Sequence, residues 1–104
     1  MSQSRIEIFE QMLAGDPANT MVMFGLAKEY EKAGDDAKVI ETLERYLAAA
    51  DDEGNAYGML ANAYERTKQG DKARQTYQRG IEVATAHGHP GMAEEYRQVI
   101  SSGF

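Results

Sequence analysis

Apolar residues recur along this chain with the beat of a helix. Met23, Leu26, Ala27 and Tyr30 fall at i, i+3, i+4 and i+7, which gathers them on one face. Val39, Ile40, Leu43, Tyr46 and Leu47 do the same in the next segment. Gly34-Asp35-Asp36 separates the two, with a glycine suited to ending one helix and an aspartate suited to capping the next. The only prolines are Pro17 and Pro90, so long stretches run without a helix breaker. The pattern predicts six helices, at roughly 3–14, 20–33, 36–49, 54–68, 71–86 and 90–101. Asp16-Pro17-Ala18-Asn19, Asp51-Asp52-Glu53 and the stretch from Ala86 to Gly91 read as links. The tail from Ser101 to Phe104 is expected to fray.

The pattern also repeats. The segment from Met23 to Tyr30 returns as Tyr57 to Tyr64, an offset of 34 residues that pairs Leu26 with Leu60 and Ala27 with Ala61. Downstream, Val39 maps to Ala73, Leu43 to Tyr77 and Leu47 to Ile81. Upstream, Phe9 maps to Leu43, Leu13 to Leu47 and Pro17 to Asp51. A third copy, Met92-Ala93-Glu94-Glu95-Tyr96, follows the second by 32 residues. Gly70-Asp71 stands two residues later than the register of Gly34-Asp35, which predicts a fourth helix longer by about half a turn.

These residues resemble the tetratricopeptide repeat, whose pattern is W-x2-L-G-x2-Y, then A-x3-F, then P. One unit carries Met23-x2-Leu26-Ala27-x2-Tyr30, Val39-x3-Leu43 and Asp51. The next carries Tyr57-x2-Leu60-Ala61-x2-Tyr64, Ala73-x3-Tyr77 and Thr85. The resemblance implies an all-α fold, a right-handed stack of antiparallel helical hairpins in one domain over residues 1–104. Its parts would be a leading half repeat near 3–14, repeats near 20–49 and 54–86, and a capping helix near 90–101. Ile6, Phe9 and Leu13 would cover one end, and Met92, Tyr96 and Val99 the other. Arg5 stands where the family prefers alanine, and Met12 and Tyr46 where it prefers a small residue. Gly58 is expected to make room for Tyr46.

The family's first helices line a concave groove that receives a peptide. Carried over, that groove takes Met21, Phe24 and Lys28, with Glu31 and Lys32, from the first unit. Asn55, Met59, Asn62 and Arg66, with Gly58 and Glu65, come from the second, and Glu94, Arg97 and Gln98 from the last helix. Spacing agrees on one point: Met21, Phe24 and Lys28 lie well round the helix from Leu26 and Tyr30. Two environments fit Met21 and Phe24, an open groove or the neighbouring first helix. The groups by which some family members grip a C-terminal carboxylate are missing. Phe24, Lys28 and Met59 stand where a lysine and two asparagines would be.

Charge narrows the functions. A net charge of −6 and a pI of about 4.8 argue against a nucleic-acid partner, because phosphate binding needs a basic surface. The chain has no cysteine, which removes thiolate chemistry and disulfides. No apolar run has the length of a signal peptide or a membrane span, and a soluble cytoplasmic protein is expected. His87 and His89 flank Gly88, but two histidines without further ligands make a poor metal site. Asp35-Asp36 and Asp51-Asp52-Glu53 read as caps and links rather than as acid–base pairs. No cofactor is expected. Ile8 is set apart, because its register partners Thr42 and Thr76 are polar. It either covers an end or meets a second copy of the chain. The expected function is a protein-binding adaptor, with a homodimeric structural module as the alternative and an enzyme a distant third.

Overall fold

A computed structural model describes residues 2–103. Among the described residues there are six helices and no strand: α1 (Ser2–Gly15), α2 (Thr20–Ala33), α3 (Asp36–Ala49), α4 (Asn55–Arg66), α5 (Gly70–Ala86) and α6 (Pro90–Gly103). None is long and apolar enough to cross a membrane. The helices fall into two compact units divided between Ala50 and Asp51, with α1 to α3 in the first and α4 to α6 in the second.

In the first unit α2 packs against both α1 and α3. Asn19 starts α2 by accepting from the Val22 amide at 3.1 Å, and Asp35 starts α3 by accepting from the Lys38 amide at 3.2 Å. Val22, Met23, Leu26, Ala27 and Tyr30 of α2 are buried. So are Leu13 of α1 and, completely, Val39 and Leu43 of α3. Each such aliphatic side chain contributes about 1.5–3 kcal/mol. Ile6 and Phe9 are half-buried, and the Phe9 ring lies over Gly25, where a Cβ would come within 3.3 Å of it. Arg5, one of the departures from the pattern the sequence resembles, has work here. Its guanidinium lies 3.3 Å from the carboxylate of Glu29, which is 8% exposed and also meets Lys32 at 3.5 Å. The pair ties α1 to α2, and a buried carboxylate needs such partners.

In the second unit α5 packs against both α4 and α6. Its core is built from small residues. Ala56, Ala61, Ala63, Ala73, Ala84 and Ala93 are buried, with Leu60, Tyr64 and Tyr77 among them. Small side chains let helices approach closely, and Tyr96 of α6 fills what remains. A Cβ on Gly58 would lie 2.7 Å from its hydroxyl oxygen, and one on Gly80 would lie 2.9 Å from its ring. The Tyr96 hydroxyl donates to the Gly54 carbonyl at 2.8 Å, and its ring meets that of Tyr77 at 5.6 Å between centroids. The space beside Gly58, which the sequence assigned to Tyr46, is taken by Tyr96. Met92 reaches Gly54, while Val99 is half-buried.

Helix spans match the expected ones except at two places. The last helix continues through Ser101 and Ser102, whose hydroxyls donate to the carbonyls of Arg97 and Gln98 at 3.2 and 2.8 Å. It does not fray at Ser101, and Phe104 lies outside the described residues. The other correction concerns α4, which is shorter than α2 rather than longer. In α2 the left-handed Gly34 (φ 76°) turns the chain so that the Asp35 amide donates to the Tyr30 carbonyl at 3.0 Å. In α4 the left-handed residue is Lys68 (φ 65°), and the Gln69 amide donates to the Tyr64 carbonyl at 2.8 Å. Lys68 is Gly34 moved on by 34, so the register is unbroken. Gly70-Asp71 merely lies inside the next helix. Thr67 supports this stop by donating from its hydroxyl to the carbonyls of Ala63 and Tyr64 at 3.0 and 3.1 Å.

A side chain in the left-handed region costs about 1–2 kcal/mol that glycine does not incur. Lys68→Gly is therefore expected to raise stability by about 1 kcal/mol, measured as a higher urea midpoint at unchanged m-value. A lowered midpoint would show that the lysine is held there at no cost.

Candidate functional site

The short turn between α2 and α3 makes them antiparallel neighbours, which sets the start of α2 beside the end of α3. There the Phe24 ring meets the Tyr46 ring at 5.3 Å between centroids, tilted by 42°. Lys28, one turn further along α2, holds its ammonium 5.2 Å from the Phe24 centroid. Thr20 and Met21 complete the rim of a hollow of about 240 Å³. Met21 is 84% exposed, so it is not core. Phe24 is half-buried. An exposed flexible thioether, an aromatic pair and a cation thus share one surface of the first unit. Such a surface can seat an apolar side chain and attract a carboxylate beside it.

Sequence reasoning grouped Met21, Phe24 and Lys28, which share this surface, but placed Tyr46 with the core-facing residues. The available signal was that Tyr46 breaks the family's preference for a small residue. A bulky ring at such a place needs a neighbour, and Phe24 supplies one.

Asn55, Met59, Asn62 and Arg66 lie along α4 in the second unit. Met59 is half-buried and the other three are exposed. Asn62 is not free: the Tyr77 hydroxyl lies 2.8 Å from its side-chain oxygen while donating to Glu65 at 2.7 Å. Arg66 also has a partner within the protein. Burial first, and the Glu65 carboxylate next, push the Tyr77 hydroxyl well above the ordinary tyrosine pKa, so it stays a donor.

The histidine loop and the acidic link, taken separately in the sequence, meet in the second unit. His87 Nδ1 lies 2.9 Å from the Val83 carbonyl, and its Nε2 lies 3.4 Å from Asp51. His89 pairs with Glu53. Asp52, between those two acids, accepts from the amides of Gly54 and Ala56 at 2.8 and 3.1 Å and so caps α4. Among the described residues no group of three or more such side chains is placed to hold a metal ion.

Comparison with known proteins gives this architecture its family. The family model described as tetratricopeptide repeat matches residues 6–58. The chain belongs to the tetratricopeptide repeat family. It is similar to the TPR repeat-containing protein PA0015 of Pseudomonas aeruginosa, with 32% identity over 83 residues that cover 80% of this chain and 79% of that protein. The crystal structure of MamA is similar in fold, with a TM-score of 0.75 at 22% identity. That likeness covers 93% of this chain and 65% of MamA, so this tetratricopeptide chain spans less than two thirds of that structure.

The contacts of His87 are expected to make the stability of this tetratricopeptide chain depend on pH. The Val83 carbonyl, with Asp51 behind it, raises the His87 pKa above its ordinary 6.5. A raised histidine pKa stabilises the folded state fully below 6.5, and that contribution fades as pH rises through the raised value. The thermal midpoint is therefore expected to fall between about pH 6 and pH 8 by more in the wild type than in His87→Asn. Parallel curves for the two would remove His87 as the cause.

Proposed function

We propose that this chain is a non-catalytic interaction module that holds a peptide or segment of another protein. Tetratricopeptide repeats generally mediate protein–protein interactions, which supports the class. The observation that carries the specific reading is Met21, 84% exposed beside the Phe24–Tyr46 pair. Hydrophobic side chains left open next to an aromatic hollow favour a partner that covers them. Lys28 at the same surface favours a partner with an acidic residue beside its apolar one. In this reading residues 1–104 act as one domain, and Asn55, Met59, Asn62 and Arg66 of α4 are further partner-binding residues. No nucleic acid or membrane takes part. A cytoplasmic site of action suits a chain without cysteine.

Affinity capture from cell extract should return a partner with the wild type and lose it with Met21→Ser combined with Lys28→Glu, at an unchanged thermal midpoint. The same captured protein at the same yield with both would sink the reading.

A second reading rests on a different observation. Ile8 and Met12, one turn apart on α1, are 54% and 48% exposed. Thr42, the register partner of Ile8, is buried at 6% exposure, so this face of α1 differs from its equivalent on α3. A second copy of the chain covering α1 would hide both apolar side chains. Sedimentation equilibrium would then give a dimer mass that Ile8→Glu halves. A monomer at high concentration disposes of it.

A further inference from the structure

The first unit has another concavity, which shares no residue with the Phe24–Tyr46 hollow. It is a crevice of about 310 Å³ between α1 and α3, with α2 as its floor. Leu13, Leu26 and the ring of Tyr30 give it apolar walls, and all three are buried. Glu10 of α1 and Glu41 of α3 stand on opposite sides and are exposed. Among the described residues the only cation on the rim is Arg45, whose Nη2 donates to the Pro17 carbonyl at 2.9 Å and so closes one end. The two acids act on a common point. The Tyr30 hydroxyl donates to Glu10 and also feels Glu41 and Asp35, and these carboxylates add to burial in holding that hydroxyl protonated.

An apolar trough ending between two carboxylates fits a side chain with an aliphatic stem and a cationic head. Lysine matches both parts, since its methylenes cover apolar surface while its ammonium stays at the wet edge. Arginine matches less well. A guanidinium favours a carboxylate with both oxygens open, and one oxygen of Glu10 already accepts from Tyr30. An ammonium is a compact charge that needs no such fork. We propose that the α1–α3 crevice is a binding site for a lysine side chain presented by a partner polypeptide. The pairing of acids is a property of the first unit, because Gln75 holds the place of Glu41 at the next register position. This site goes beyond the interaction surface above and makes its own demand on a partner.

The probe is a blocked Gly-Lys-Gly tripeptide titrated into the full chain and followed by NMR. The expected result is shifts at the Leu13 and Leu26 methyls and the Tyr30 ring. Acetylating the lysine Nζ should abolish them. Glu41→Gln places at an exposed helix position the residue the next unit uses, so it leaves folding intact. It should weaken binding about fivefold. Glu95→Gln, an equal change of net charge on α6, should leave affinity unaltered. Equal binding of the acetylated peptide, equal weakening by Glu95→Gln, or an absence of shifts at those three residues would each overturn the proposal.

Discussion

A buried tyrosine must bond its hydroxyl, and much of this protein follows from that requirement. Tyr30 of α2 reaches back to Glu10 of α1. Tyr77 of α5 reaches back to Glu65 of α4. Tyr96 of α6, which is half-buried, reaches the carbonyl of Gly54, just ahead of α4. Each ring serves as core and each hydroxyl pins one helix to an earlier segment of its unit. The apolar part supplies most of the free energy. The polar tip selects the angle and register, because any slip leaves a buried donor unpaired.

The same economy explains the second unit. Its interior is largely alanine and glycine, which bury little area each. Helices bearing such residues gain little unless they come close, and closeness leaves a narrow slot that only a flat side chain fills. Tyr96 is that side chain. The first unit solves the problem with Val39, Leu43 and Leu26, and adds the Arg5–Glu29 pair where α1 meets α2.

Much of this could be read from the chain. The helical beat placed all six helices, and the offset of 34 residues tied Leu26 to Leu60 and Tyr30 to Tyr64. What stayed hidden was set by geometry between segments. Lys68 concealed the helix stop because a lysine carries no propensity for the left-handed region, whereas Gly34 announces it. His87 and Asp51 are 36 residues apart, and only folding shows that the two links meet. Met21 and Phe24 were visible as a second apolar stripe on α2. Their environment depended on Tyr46, whose rotation on α3 a one-dimensional pattern describes poorly. Of the proposed contact residues on α4, Asn62 and Arg66 read as free in the sequence, yet both already have partners.

The glycine slot around Tyr96 bears on how such repeats can be exchanged. Repeat proteins invite treatment as interchangeable bricks, each swappable for a consensus version. Here the bricks are keyed. A module bearing alanine at position 58 or 80 would bring a methyl carbon to 2.7 Å from the Tyr96 hydroxyl or 2.9 Å from its ring, so that the tyrosine would have to shift. A graft that keeps the α6 tyrosine must keep both glycines, and one that discards the glycines must shrink the tyrosine. The closing helix and the hairpin it covers are thus inherited together.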